Sequence, residues 1–205
     1  MTTDSETTRL GPAQAADAAG VLARAFFEDP SWVWAVPDDT RRRRVQAWFF
    51  RAALRYGLRY GDVHVTADRV DGAALWLPPG SRLTALRLAR VGLLAMPLRA
   101  GLSAFWRFTT MGSALEERHR EDAPFPHWYL WLLGVEPSRQ GRGVGSSLVR
   151  RVLGAADDEG IACYLDTTLE RNLTFYRRLG FRVVHAGEFP GSGPPFWTLL
   201  REPAA

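Results

Sequence analysis

The sequence predicts an α/β protein of the α+β kind, with a mixed parallel and antiparallel sheet of about seven strands flanked by helices. Strand-like and helical segments alternate along all 205 residues. Their order joins a hairpin, which is antiparallel, to a strand–helix–strand crossover, which requires a parallel pair. This length suits one sizeable core, so we expect a single domain over residues 1–205, with a flexible tail at 1–6.

The N-terminal half predicts a short strand, two helices and a hairpin. The segment TTRLG is typical of a strand, and the following PAQAADAAGVLARAFFED of a helix, because apolar residues recur at helical spacing from Val21 to Phe26. We expect DPSWVWAVPDD to form an aromatic loop between two turn signals. A second helix follows over about 40–60, and alternation around Val63 and Val65 before the turn RVDG predicts the hairpin.

The C-terminal half predicts helices over about 82–120, with a break near Pro97 and Gly101. The segment HWYLWLLGV is apolar on both faces, which is typical of a strand buried on both sides. A glycine-rich loop and a helix to about Asp158 follow, and then the strand ACYLDTT. The short helix ERNLTFYRRLG ends at Gly180, and FRVVHAGEF and PPFWTLLRE are the last two strands.

Composition narrows the function only slightly. All 26 basic residues are arginine and the net charge is +4, which is modest support for an anionic ligand. We expect the run from Arg41 to Arg44 to be a solvated helix face and expect no nucleic-acid partner, because no recognition motif accompanies it. Four arginines interrupt the apolar region 86–108, so we expect no membrane partner. One cysteine and no signal segment predict a cytoplasmic protein, and we expect no metal site.

The stretch PSRQGRGVGS places three glycines between the buried strand and the next helix. Free N–H groups and the positive end of a helix dipole form an anion site there. A nucleoside-triphosphate loop requires a lysine, which this chain lacks. A dinucleotide fingerprint has Ser146 in place of its last glycine, and only about 40 residues follow Asp166. Two interpretations of this stretch therefore stay open: a flexible turn, and a phosphate-binding loop of another kind.

The setting of this loop resembles the GNAT superfamily of N-acetyltransferases. The segment QGRGVG resembles the Arg/Gln-x-x-Gly-x-Gly/Ala signature, and the strand before it, the helix after it, CYLDTT and RNLTFYRRLGF follow in the order of that family. Within the family, GVEPSRQGRGVGS, AFFEDP and FWTLLREP look most like puromycin N-acetyltransferase-type actinobacterial members. The chain departs from that group around the aromatic loop and residues 86–120, so the acceptor stays open.

The resemblance implies acetyl-CoA (coenzyme A) as the cofactor, with strands four and five splayed apart to admit its pantetheine arm. Backbone N–H groups of the loop would hold the pyrophosphate, and the end of the preceding strand would pair with the arm as an added strand does. The expected cofactor-binding residues are Leu133, Gly134, Val135, Arg139, Gln140, Gly141, Arg142, Gly143, Val144, Gly145, Ser146, Asn172 and Tyr176.

The resemblance also implies direct acetyl transfer in a ternary complex. Tyr176 matches the position of the general acid, and Asn172 lies four residues earlier on the same helical face. The alternative for Tyr176 is a tyrosine of the core, and the alternative for Asn172 is an asparagine that caps the helix. No carboxylate occurs in 127–135, where several relatives keep a base, so Asp166 acting through water is our first choice, with a structural hydrogen bond equally open. The expected acceptor-binding residues are Glu28, Asp29, Trp32, Trp34 and Trp76.

We therefore expect an acetyl-CoA-dependent N-acetyltransferase acting on a primary amine of a small molecule. Two alternatives stay open: an enzyme that acetylates a protein N-terminus or a lysine, and a module that binds acyl-CoA without catalysis. A homodimer is compatible with the sequence.

Overall fold

The computed structural model describes residues 6–81 and 83–204, so most of the tail predicted at 1–6 lies outside the described residues. Seven strands form one sheet in the order β1-β2-β3-β4-β5-β7-β6. Among the strand pairs of the described residues, only β4–β5 is parallel, which confirms the predicted mixed sheet. The strands are β1 (Thr7–Arg9), β2 (Asp62–Thr66), β3 (Gly72–Leu77), β4 (His127–Val135), β5 (Ala162–Thr167), β6 (Arg182–Glu188) and β7 (Pro195–Arg201).

The helices flank the sheet on both faces. They are α1 (Ala15–Ala25), α2 (Pro30–Ala35), α3 (Asp39–Tyr60), α4 (Ala85–Arg90), α5 (Met96–Ala100), α6 (Leu102–Asp122), α7 (Val144–Asp158) and α8 (Arg171–Arg178). The break between α5 and α6 falls at Gly101, whose φ is 85°, whereas Pro97 lies in the first turn of α5, where no N–H is needed. Within the described ranges, no helix has both the length and the apolar character of a membrane span.

Helix α2 corrects the prediction of an aromatic loop. Asp29 precedes it and accepts a hydrogen bond from the Ser31 backbone N–H at 2.9 Å, while Pro30 occupies the first helical position. Both are signals that begin a helix. The turn signals therefore flank a short helix, which carries Trp32 into the core with 5% of its surface exposed.

Two apolar clusters separate the faces of the sheet. The larger one packs α1, α3, α5 and α6 against the sheet, with Leu22, Phe50 and Leu75 fully buried in it. The smaller one packs α7 and α8 against the other face, around Leu148 and Leu165.

Strand β4 changes the face it presents at Trp131. Leu132 pairs with Leu75 and Leu130 pairs with Trp76, so Trp131 is an extra residue that forms a β-bulge. Because of this extra residue, Leu130 packs with the α7 cluster and Leu132, two residues later, with the opposite cluster. Pairing with β5 ends at Leu130. Residues 131–135 therefore diverge from β5, as expected for strands four and five.

Arg42 corrects the prediction that the arginine run is a solvated face. It is 2% exposed, and its guanidinium donates to the carbonyls of Phe27, Val36 and Pro37 at 2.9–3.0 Å. It also pairs with Asp39 at 2.7 Å. One buried side chain thus ties the segments on both sides of α2 to α3, and these segments position Asp29.

We expect Arg42→Met to lower the free energy of unfolding by about 2–4 kcal/mol, because it leaves three carbonyls without their donor. Arg44 belongs to the same run but is exposed, so Arg44→Met is expected to change stability by less than about 0.5 kcal/mol. Urea denaturation of both variants measures the difference. If Arg42→Met lowered the free energy of unfolding no more than Arg44→Met does, Arg42 would be dispensable to the fold.

Candidate active site

A cleft of about 910 Å³ opens where β4 and β5 separate. Its wall includes the glycine-rich loop, the start of α7 and one face of α8. It also includes the ends of α1 and β5, residues of α2 and α3, and residues from α4 to α6. The site therefore lies where the pairing of β4 with β5 ends, next to the bulge at Trp131.

The three loop glycines have different roles. Gly141 and Gly143 have φ values of 74° and 88°, a region in which other residues are strained. Gly145 lies in the first turn of α7, where a Cβ would come within 3.3 Å of the Phe175 ring. The N–H groups of this turn have no partner within the helix. Since Val144, Gly145 and Ser146 line the cleft, the turn offers it an anion-binding surface.

Arginine side chains add positive charge near this loop. Arg139 lines the cleft and lies 3.3 Å from Asp71. Arg171 and Arg178 also line it, although our sequence analysis did not select them. The available signal was their spacing of seven residues, which places both on one face of α8. The side chain of Arg142 is exposed, and this residue is not part of the cleft wall within the described chain.

The diverging end of β4 forms another wall of the cleft. Leu133, Gly134 and Val135 all line it. A Cβ on Gly134 would lie 2.8 Å from the Leu22 side chain, so α1 packs too closely for any side chain there. Gln140 donates from Nε2 to the Val135 carbonyl at 3.1 Å. This bond fixes the glycine-rich loop to the end of the strand.

Asp166, near the end of β5, lines the cleft. Its Oδ1 accepts a 2.6 Å hydrogen bond from the Tyr129 hydroxyl on β4. Burial raises the pKa of Asp166 to about 6, the nearby charge of Asp29 adds to the increase, and the Tyr129 hydrogen bond opposes it. Asp166 is therefore mostly ionised at neutral pH but close enough to its pKa to take up a proton.

A second carboxylate, Asp29, comes from a different part of the chain. Besides its bond to the Ser31 backbone, it accepts hydrogen bonds from the hydroxyls of Ser31 at 2.5 Å and Thr168 at 2.9 Å. It is 7% exposed and lines the cleft. Thr168 follows β5 directly, so this bond holds the start of α2 against the end of the strand that carries Asp166.

Tyr176 and Asn172 face the same cleft from α8. Burial raises the pKa of the Tyr176 hydroxyl well above its usual range, and the charges of Asp166 and Asp29 raise it further. The hydroxyl therefore stays protonated and able to donate. Asn172 donates from Nδ2 to the Thr167 hydroxyl at 3.1 Å, which ties the start of α8 to β5.

Of the five residues expected at the acceptor, Asp29 and Trp32 line the cleft. The prediction for Trp76 is wrong: it is fully buried in the α7 cluster, because side chains alternate along β3 and this one points to the other face. Across the described residues the cleft wall also lacks Glu28 and Trp34. The Trp34 ring instead lies 5.2 Å from the Arg107 guanidinium.

Several residues of this wall were missed by the sequence analysis. Tyr129, Phe49, Phe108 and Trp131 all line the cleft. They come from three distant elements, and each matches an ordinary core pattern in its own segment. Only the packing of β4 against α3 and α6 brings them together, so no local signal distinguished them.

Residues 102–181 match the model of the acetyltransferase (GNAT) family. An uncharacterised N-acetyltransferase of the fission yeast Schizosaccharomyces pombe is 26% identical over 176 residues, which cover 80% of this chain and 69% of that protein.

Solved structures show the same fold along nearly the whole chain. A histone acetyltransferase HPA2 and related acetyltransferase from Corynebacterium glutamicum has a TM-score of 0.73 at 24% identity, covering 97% of this chain and 96% of that one. A polyamine N-acetyltransferase of Drosophila melanogaster, which forms N-acetylagmatine, has a TM-score of 0.61 at 16% identity, covering 96% and 99%. The architecture is therefore the GNAT fold. Together with the family match over residues 102–181 and the yeast relative, the fold supports an N-acetyltransferase.

Proposed function

We propose that this enzyme transfers acetyl from acetyl-CoA to a primary amine of a small molecule, by direct attack in a ternary complex. The observation that carries the proposal is that one cleft contains an anion-binding helix start, a diverging strand edge, and the Asp166 and Tyr176 side chains. Each of these features suits one part of the two substrates.

The residues present fit coenzyme A. The first turn of α7 would hold the pyrophosphate, with Arg139, Arg171 and Arg178 near enough to the cleft to add charge. The edge of β4 over 131–135 would pair with the amide-rich pantetheine arm, and Asn172 borders its path. When bound, acetyl-CoA would supply the acetyl group as a reactive thioester.

The protein would supply the proton transfers. The amine must lose a proton before it attacks, and Asp166 would accept that proton directly or through one water. Tyr129 positions the carboxylate by its hydrogen bond to Oδ1. Tyr176 would hold a proton at its hydroxyl for the leaving sulfur. Because Asp166 has a pKa of about 6 and that of Tyr176 is raised, both groups have the required protonation state at neutral pH.

A small acceptor is supported over a protein chain because residues from α4 to α6 add to the wall of the cleft. The N-acetylagmatine-forming enzyme among the similar structures acts on a small amine. Acetylation of a protein is the second candidate function, because one of the similar structures is described as a histone acetyltransferase. The resemblance to puromycin N-acetyltransferase-type members rests on the sequence segments alone and stays a prediction.

Thiol release from acetyl-CoA, measured across a panel of small amines and short peptides, tests this function. We expect turnover with small amines. Turnover only with peptides would replace the proposal with the second candidate. No thiol release with any acceptor, in a protein that binds acetyl-CoA, would leave a non-catalytic acyl-CoA-binding module.

Tyr176→Phe is expected to lower kcat by roughly 10- to 100-fold while the Kd for acetyl-CoA changes little. The expected loss is moderate because a thiolate, with a parent pKa of about 8.5, leaves more readily than an alkoxide. Stopped assays with the best amine of the panel, together with cofactor titration, separate the two effects. An unchanged kcat would remove Tyr176 as the acid.

A further inference from the structure

The cleft is rich in large apolar side chains contributed by α2, α3, β4, α5 and α6. Its wall includes six side chains that we call the apolar subsite: Trp32, Phe49, Met96, Phe108, Met111 and Trp131. The Trp32 ring packs edge to face with Phe49 at 5.1 Å and with Phe108 at 4.9 Å. These rings are held by one another, so the subsite is a preformed apolar surface.

Negative charge is confined to one place in this cleft. Asp29 and Asp166 are the carboxylates of its wall within the described chain, and they lie close enough for the charge of one to affect the pKa of the other. The sequence has no Asp or Glu between Asp71 and Glu116, and that segment supplies the walls contributed by α4 and α5 and most of those from α6.

This distribution of charge bears on which amines can bind. An ammonium placed beside the two carboxylates is neutralised there. A second ammonium, extending toward the apolar subsite, would lose its water without gaining a carboxylate, which is strongly unfavourable. A hydrocarbon or aromatic group in the same place would instead gain from leaving water.

We propose that the acceptor is a primary monoamine with an apolar body, either an alkyl chain or an arylalkyl group, and that the cleft rejects polyamines. This inference rests on the proposed function, because it names the substrate class of the same site. It assigns the apolar subsite to the body of the acceptor, and the Asp29 and Asp166 pair to its single ammonium.

The test compares kcat/KM for hexylamine, phenethylamine, agmatine and spermidine in the thiol-release assay. We expect the two apolar monoamines to exceed the other two amines by at least about tenfold. Equal or better rates with agmatine or spermidine would overturn the inference and leave the proposed function standing. No turnover with any amine, in a protein that binds acetyl-CoA, would overturn both.

A charge added to the α6 wall gives a second readout. Thr109 lines the cleft yet is exposed, so Thr109→Glu is expected to fold. The new carboxylate would pair with the second cationic group of a substrate such as agmatine. We expect the ratio of kcat/KM for agmatine over hexylamine to rise at least about tenfold. Ser113→Glu adds the same charge to the same helix at an exposed position outside the cleft wall and should leave the ratio unchanged. Equal changes in both variants would mean that the subsite does not select the acceptor.

Discussion

Gly143→Val is expected to weaken acetyl-CoA binding by at least about a hundredfold while the protein keeps its fold. Gly143 precedes α7 with φ at 88°, where a β-branched residue is strongly strained. To relieve that strain, the loop must turn the N–H groups of the first helical turn away from their present direction. Several charge-assisted hydrogen bonds to the pyrophosphate would be lost, and each tenfold loss of affinity corresponds to about 1.4 kcal/mol.

Isothermal titration of the variant with acetyl-CoA measures this effect, with circular dichroism to verify the fold. Gly154→Ala is the matched control, since Gly154 lies in the same helix, is exposed and has open space around its Cβ position. The control should bind as the wild type does and gain about 0.5–1 kcal/mol of stability. Retained affinity in Gly143→Val would mean that the loop is only a turn.

Asp166→Asn is expected to lower kcat/KM by about 10²- to 10⁴-fold at neutral pH, because the amide cannot accept the proton of the amine. In the wild type, kcat/KM should fall about tenfold per pH unit below the pKa of about 6 as Asp166 becomes protonated. The variant should lack that dependence. A wild-type activity that stays constant between pH 7 and pH 5 would assign the base to another group.

The same substitution is expected to stabilise the protein above pH 6. The pKa of Asp166 is raised in the folded state from 3.8 to about 6, so between these values the folded state binds more protons than the unfolded state. Stability therefore falls as pH rises through this window and stays lower above it. An asparagine avoids this cost, which we place at about 1–2 kcal/mol because the carboxylate is partly open to the cleft.

Urea denaturation of wild type and Asp166→Asn at pH 4.5 and pH 7.5 measures the difference. We expect the variant's advantage to grow with pH, since titrations of other groups cancel in the comparison. Lost activity combined with gained stability indicates a functional carboxylate rather than a structural one. A variant that is less stable at both pH values would favour the structural hydrogen bond to Tyr129 as the role of Asp166.

Features that are determined by contiguous residues could be predicted from the sequence. The hairpin of β2 and β3, the β4–α7–β5 crossover and the glycine-rich loop before α7 each follow from local spacing, from turn residues or from the order of segments. That Tyr176 and Asn172 line one cleft could be predicted because one short helix carries them both, whereas their roles stay predictions. Their placement at the cleft depends only on α8 following β5 directly.

Features that depend on distant contacts could not be predicted. Nothing near Tyr129 indicates that it bonds to Asp166, since 37 residues separate them and they meet across a parallel strand pair. Arg42 looks like its exposed neighbours in the sequence, and only the segments around α2 supply the carbonyls that bury it. Trp76 was misplaced because a strand with apolar residues on both sides does not show which face borders a cleft.

The thermal stability of the wild type with acetyl-CoA tests the central claim most directly. A ligand at a hundred times its Kd stabilises the folded state by about 2.7 kcal/mol, which corresponds to a Tm increase of roughly 5–10 °C for a chain of this size. We expect an increase of that order with millimolar acetyl-CoA, and little or none with Gly143→Val. An unchanged Tm of the wild type would contradict the cofactor site, and with it the acetyl transfer proposed for this cleft.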